Sequence, residues 1–138
     1  MIRDFYIPNV SFLTTQVCIL IMSKHFFDIS VLNLHLLSFV IFIGGCYITY
    51  VKQFIVFDEL DISGKELHIG NLLFHIIPFL YIWSNYKLNK KYILETIVYL
   101  LIYVYMYNPK KKYYITDKEY RLYGMYFTLV AVLFYIVI

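Results

Sequence analysis

The stretch LHIGNLLFHIIPFLYIWSNY, residues 67–86, decides how the chain folds: twenty residues run without an Asp, Glu, Lys or Arg. A helix rises about 1.5 Å per residue, so such a run reaches about 30 Å, the thickness of a hydrocarbon core. Asn71, His75 and Pro78 follow the i, i+4, i+7 spacing of one helix face, with His68 earlier on the same stripe. One side of this helix is polar. Pro78 removes a backbone donor and frees the carbonyl of Phe74, which a neighbour or a water must satisfy.

Working outward, charge-free stretches recur at 5–23, 29–51 and 122–138, and 92–109 is broken only by Glu95. The chain is 62% hydrophobic and 15% charged, with a mean hydropathy of +0.69. A soluble domain carries about 25% charged residues to cover its outside. Lipid offers the backbone no hydrogen-bond partner, so each run is expected to be helical, and the alternating runs of about ten residues that mark a barrel are missing. The predicted fold is all-α: one polytopic transmembrane helical bundle over 1–138, with spans near 7–24, 31–51, 68–84, 92–107 and 122–138. Links this short make consecutive helices antiparallel neighbours.

Five crossings put eight basic residues (Arg3, Lys52, Lys65, Lys110, Lys111, Lys112, Lys118, Arg121) on one side and four (Lys24, Lys87, Lys90, Lys91) on the other. The positive-inside rule then makes the N-terminus cytoplasmic. Residues 1–23 read as a retained signal anchor, because no small-residue cleavage site follows them. The sequon Asn9-Val10-Ser11 is expected to stay unglycosylated on that side. The formal charge of +3 is spent beside apolar runs, which reads as topology and not as a nucleic-acid footprint. The expected partner is the bilayer itself, with other membrane or virion proteins, or a second copy of the chain, beside it.

The polar groups inside the runs carry what chemistry the sequence offers. Ionisable groups at mid-membrane face the bundle interior and mark function, which makes His75 a candidate base; the plainer alternative is a kinked packing helix whose histidine bonds a neighbour. Candidate nucleophiles for it are Thr49, Cys46 and Ser38, with Thr14 and Thr15 also able to meet it in a bundle. In the second span His35, Ser38, Phe42, Gly45 and Thr49 form a stripe of small and polar residues, and Gly44-Gly45 predicts a close helix crossing. Glu95 stands four residues before Tyr99, with Tyr103 and Tyr107 continuing the line. It either pairs with Lys91, which can snorkel to the surface, or faces His35 or His75 across the bundle. Cys18 and Cys46 are expected as free buried thiols. With no His-x3-His or Cys-x2-Cys pair, neither a metal nor a cofactor is expected. Three functions follow: a structural or protein-interaction role, a membrane-embedded hydrolase or acyltransferase based on His75, or a small ion or proton pathway through His35, His75 and Glu95.

Residues 44–52 (GGCYITYVK) and 73–79 (LFHIIPF) resemble segments of uncharacterised small multi-pass proteins of giant DNA viruses. The resemblance covers the second and third spans. It implies a virion membrane or a virus-modified host membrane such as the endoplasmic reticulum, and the AT-rich coding bias behind ten lysines and two arginines agrees with such a source. A fainter similarity, to membrane hydrolases of the androgen-induced-gene family, rests on a histidine shortly before a proline in a span. It implies a Thr and a His as catalytic residues, of which only His75 carries over.

Overall fold

The computed structural model describes residues 13–51, 64–107 and 116–137. They form five helices, with no strand among the described residues: α1 (Leu13–Phe27), α2 (Leu34–Tyr50), α3 (Gly64–Asn85), α4 (Ile93–Tyr107) and α5 (Asp117–Val137). The expectation of an all-helical chain is met. The sequon, the beginning of the first expected span, Lys52 and the Lys110-Lys111-Lys112 loop lie outside the described residues.

The bounds of the described helices differ from the expected spans at several ends. α3 with 22 residues and α5 with 21 are long and apolar enough to cross a membrane, and among the described residues α1, α2 and α4 give shorter apolar helices. Local chemistry explains the altered ends. Asn33 caps α2, its side chain accepting a bond from the Leu36 amide at 3.0 Å, so the apolar residues before it turn instead of extending the helix. At α5, Thr116 and Glu119 form a capping box: the Glu119 amide donates to Thr116 Oγ1 at 3.2 Å and the Thr116 amide to Glu119 Oε1 at 3.3 Å. That box starts the helix at Asp117, ahead of the apolar run.

α2 is the centre of the molecule. It packs against every other helix, most extensively α3 and then α1, while α4 and α5 lean on α2 and on each other more sparsely. Val17 and Ile21 of α1, Leu37 and Ile41 of α2, Ile82 of α3 and Leu100 of α4 meet in one apolar cluster. Phe42 stacks on Phe79 with centroids 4.4 Å apart, and Phe79 leads on to Trp83 and then Phe134 of α5.

Polar side chains share the interior with the apolar cluster, and many large apolar side chains stay outside. Thr14, Asn33, His35, Ser38, Thr49, Asn71, His75 and Thr96 are buried, while Phe27, Leu94, Tyr105, Met125 and Val137 are more than 60% exposed. Along the most apolar stretch of α5 only 11% of the residues are buried.

Candidate functional site

The site begins with the backbone of α3. Over Leu72–Ile76 the helix widens into a π turn, with the Ile77 amide donating to the Leu72 carbonyl. Such single-turn widenings accompany functional sites, and this one sits directly before Pro78. The proline ring cannot donate to Phe74, and the freed carbonyl instead accepts the thiol of Cys18 from α1 at 4.0 Å. The expectation that a neighbour satisfies Phe74 is therefore met by a cysteine.

Inside this turn His75 is held from two sides. Its Nδ1 lies 3.1 Å from Asn71 Oδ1 and its Nε2 lies 3.0 Å from Thr14 Oγ1. Asn71 turns its amide nitrogen toward Cys46 Sγ at 3.9 Å, which leaves its oxygen for the histidine. An acceptor at Nδ1 places the imidazole proton there, so Nε2 carries a lone pair and the Thr14 hydroxyl donates to it. The result is a hydroxyl, a base and an orienting amide in series, within a ring only 7% exposed.

Gly45 makes the arrangement possible. A Cβ at this position would overlap the His75 ring, with the Cδ2 atom only 2.7 Å away. The expected close crossing of Gly44-Gly45 thus narrows to Gly45: Gly44 is exposed, and a Cβ there would meet nothing within 4 Å.

The other candidates lie in separate surroundings. Ser38 donates to the His35 carbonyl at 3.1 Å, and Cys46 reaches the histidine only through Asn71. Thr49 is buried at 1% exposure, and the hydroxyl on His75 is that of Thr14. His35 donates from Nε2 to the Tyr86 carbonyl at 3.0 Å, and its ring packs edge-on against Trp83. Glu95 is exposed in the first turn of α4, where a carboxylate complements the helix dipole, while Lys91 lies over the Tyr92 ring at 4.9 Å. His35, His75 and Glu95 each have their own environment, and no contact joins them among the described residues. Tyr99 and Tyr103 turn inward from α4, Tyr99 donating to Gln16 Oε1 and Tyr103 accepting from the Leu13 amide at 3.0 Å. Cys18 and Cys46 are free thiols. No three His, Cys, Asp or Glu side chains converge as metal ligands among the described residues.

Sequence reasoning missed Asn33 and Thr96 altogether. Asn33 donates from Nδ2 to the carbonyls of Asn89 (2.9 Å) and Lys91 (3.0 Å), and from its amide to Thr96 Oγ1 (2.7 Å). An asparagine just before an apolar run is a cap signal, but nothing in its neighbourhood announces a bond to a link more than fifty residues away. No family model, characterised protein or solved structure matches the chain.

Proposed function

We propose that the chain is a multi-pass integral membrane protein whose five helices cross the bilayer as antiparallel neighbours, and that it works by packing laterally against other membrane proteins or further copies of itself. The observation that carries this reading is the placement of side chains: Asn71, His75 and Thr96 are buried, while large apolar residues such as Leu94, Leu101, Met125, Leu129 and Ile136 stay exposed on α4 and α5. Water would drive those side chains inward, because each fully buried large apolar side chain gains about 1.5–3 kcal/mol. Hydrocarbon removes that drive and rewards the interior polar bonds. A span of 17 residues, as in α2, fits this reading through local thinning of the bilayer at modest cost. Exposed Gly44 on α2 and Gly124 on α5, each with open space where a Cβ would stand, suit close approach of a partner helix. The resemblance of residues 44–52 and 73–79 to giant-virus proteins supports a viral or virus-modified membrane as the setting.

Alkaline extraction and topology labelling test the proposal together. The protein should stay in the membrane pellet, and single cysteines introduced by Lys87→Cys and Lys118→Cys, in a chain without Cys18 and Cys46, should label from opposite faces of a sealed vesicle. A chain that stays monodisperse without detergent, or labelling of both positions from one face, would overturn it.

The Thr14–His75–Asn71 series supports a second reading, a membrane-embedded hydrolase or acyltransferase. Thr14 would attack an ester carbonyl as His75 Nε2 takes its proton, the ester C–O bond would break as His75 returns that proton to the departing alcohol, and water or an acceptor hydroxyl would then take the acyl group from Thr14 by the same route, with Asn71 holding the ring. The enclosure of His75 ranks the packing role first. Covalent labelling by a fluorophosphonate, lost in Thr14→Ala, is the expected result if the enzyme reading holds, and an unlabelled protein without esterase activity dismisses it.

A further inference from the structure

A cavity of about 420 Å³ opens at the end of the bundle where the α1–α2 and α3–α4 links meet. Its volume falls among those of ligand pockets, about 300–1,000 Å³. Lys24, Lys87 and Lys91 stand in its wall with one carboxylate, Asp28, and His35 and Ile82 belong to its lining.

The charges in this wall do not cancel. Asp28 is spent on Lys24, whose Nζ lies 2.6 Å from Oδ1, leaving Lys87 and Lys91 without a carboxylate partner among the described residues. Two neutral donors are also committed: Asn89 Nδ2 bonds the Lys87 carbonyl at 3.1 Å and Ser30 the Leu32 carbonyl at 3.4 Å. The charged donors without a carboxylate are the ammonium groups of Lys87 and Lys91, with the Tyr86 and Tyr92 hydroxyls in the same lining, a set that suits an anion with several acceptor oxygens.

The walls are fixed before any ligand arrives. Asn33 ties both links together through the carbonyls of Asn89 and Lys91. Two non-glycine residues among those described adopt left-handed backbone, Asp28 (φ 54°) and Tyr92 (φ 63°), and both line this cavity. A left-handed tyrosine is uncommon, and such conformations persist where the surroundings hold them for a purpose. Phe26, Phe27 and Ile29, all exposed, lie in or beside the α1–α2 link, so the cavity sits where apolar surface gives way to charge.

We infer that this cavity binds a phosphate group through Lys87 and Lys91, supplied either by the headgroup of an anionic lipid or by free phosphate. The lysines approach as point charges, as they do at other phosphate sites. The inference stands on the cavity alone and does not require the five-crossing topology.

The full chain in a neutral detergent provides the test, with Trp83 as the only tryptophan and its ring 5.4 Å from that of the lining residue His35. Its fluorescence is titrated with phosphatidylglycerol, phosphatidylcholine and inorganic phosphate. A saturable change with phosphatidylglycerol alone identifies a lipid site, and one that inorganic phosphate also produces identifies a site for the anion itself; both support the inference. Lys87→Gln and Lys91→Gln should each weaken binding by about five-fold. Asp28→Asn, which frees Lys24 and keeps a residue tolerant of left-handed backbone, should strengthen it. Lys118→Gln, at the opposite end of the bundle, should leave it unchanged. No saturable response to phosphatidylglycerol or phosphate, an undiminished response in the double lysine variant, or equal loss in Lys118→Gln would overturn the inference. The opposite signs expected for the lysine and Asp28 variants separate lost binding from lost folding.

Discussion

Gly45 and His75 face each other across the α2–α3 contact with no room for a methyl group between them. Gly45→Ala should therefore destabilise the protein by about 1–3 kcal/mol, the usual cost of overpacking, while Gly44→Ala should change little, as read by thermal unfolding in detergent. The bond between Thr14 and His75 is best measured by a double-mutant cycle with Thr14→Val and His75→Phe. A coupling of about 0.6–1.7 kcal/mol is expected, as for hydrogen bonds between membrane helices. Outside the helices, the Lys24 hydrogen bond and charge hold the Asp28 carboxyl below the usual carboxylate range. The stability this pair adds is present at neutral pH and lost as the pH falls through that lowered value. Titration of the Asp28 carboxyl by NMR should give a low midpoint that returns upward in Lys24→Gln. At this scale the sequence was half legible. Asn71 and His75 lie four apart on one helix, and spacing alone pairs them. Thr14 lies sixty-one residues from His75, and no periodicity links side chains on different helices.

The helices show where local rules were readable and where packing changed them. Pro78 announces a disturbance in α3, and the freed Phe74 carbonyl follows from the missing proline donor. The disturbance takes the form of a π turn, and the Thr14 bond and Gly45 contact that receive its His75 lie on other helices, out of reach of any reading of α3 alone. The capping box at α5 was present in the sequence as Thr116-Asp117-Lys118-Glu119, but its charges resemble a loop when only hydropathy is read. Thr116→Ala should cost about 0.5–2 kcal/mol and speed amide exchange in the first turn of α5. α4 reads differently along its length: Tyr99 and Tyr103 turn inward to α1, while Glu95 stays at the exposed start, so a spacing of four was informative only past the first turn.

For the molecule as a whole, run length and the absence of charge revealed an all-helical chain, because lipid and a helical core both demand internally satisfied backbone. Those signals could not reveal that polar side chains would gather around α2, since burial is a property of assembled helices. Hydropathy also places the starts of α2 and α4 less well than local chemistry does: the Asn33 cap and the left-handed Tyr92 set them at Leu34 and Ile93, inside the apolar runs. The sparse packing of α4 and α5 leaves many of their large apolar side chains exposed. Chemical crosslinking in native membranes should therefore trap neighbours through α4 or α5 more readily than through α1.

The Asn33 amide closes onto Thr96, a partner sixty-three residues further along. A ribosome delivers the first of these long before the second. The hairpin of the two leading helices thus enters its surroundings with an open latch, which snaps shut only after the fourth helix has been made. Nascent chains halted before residue 96 should accordingly be easier prey for proteases at the first turn than chains released after it.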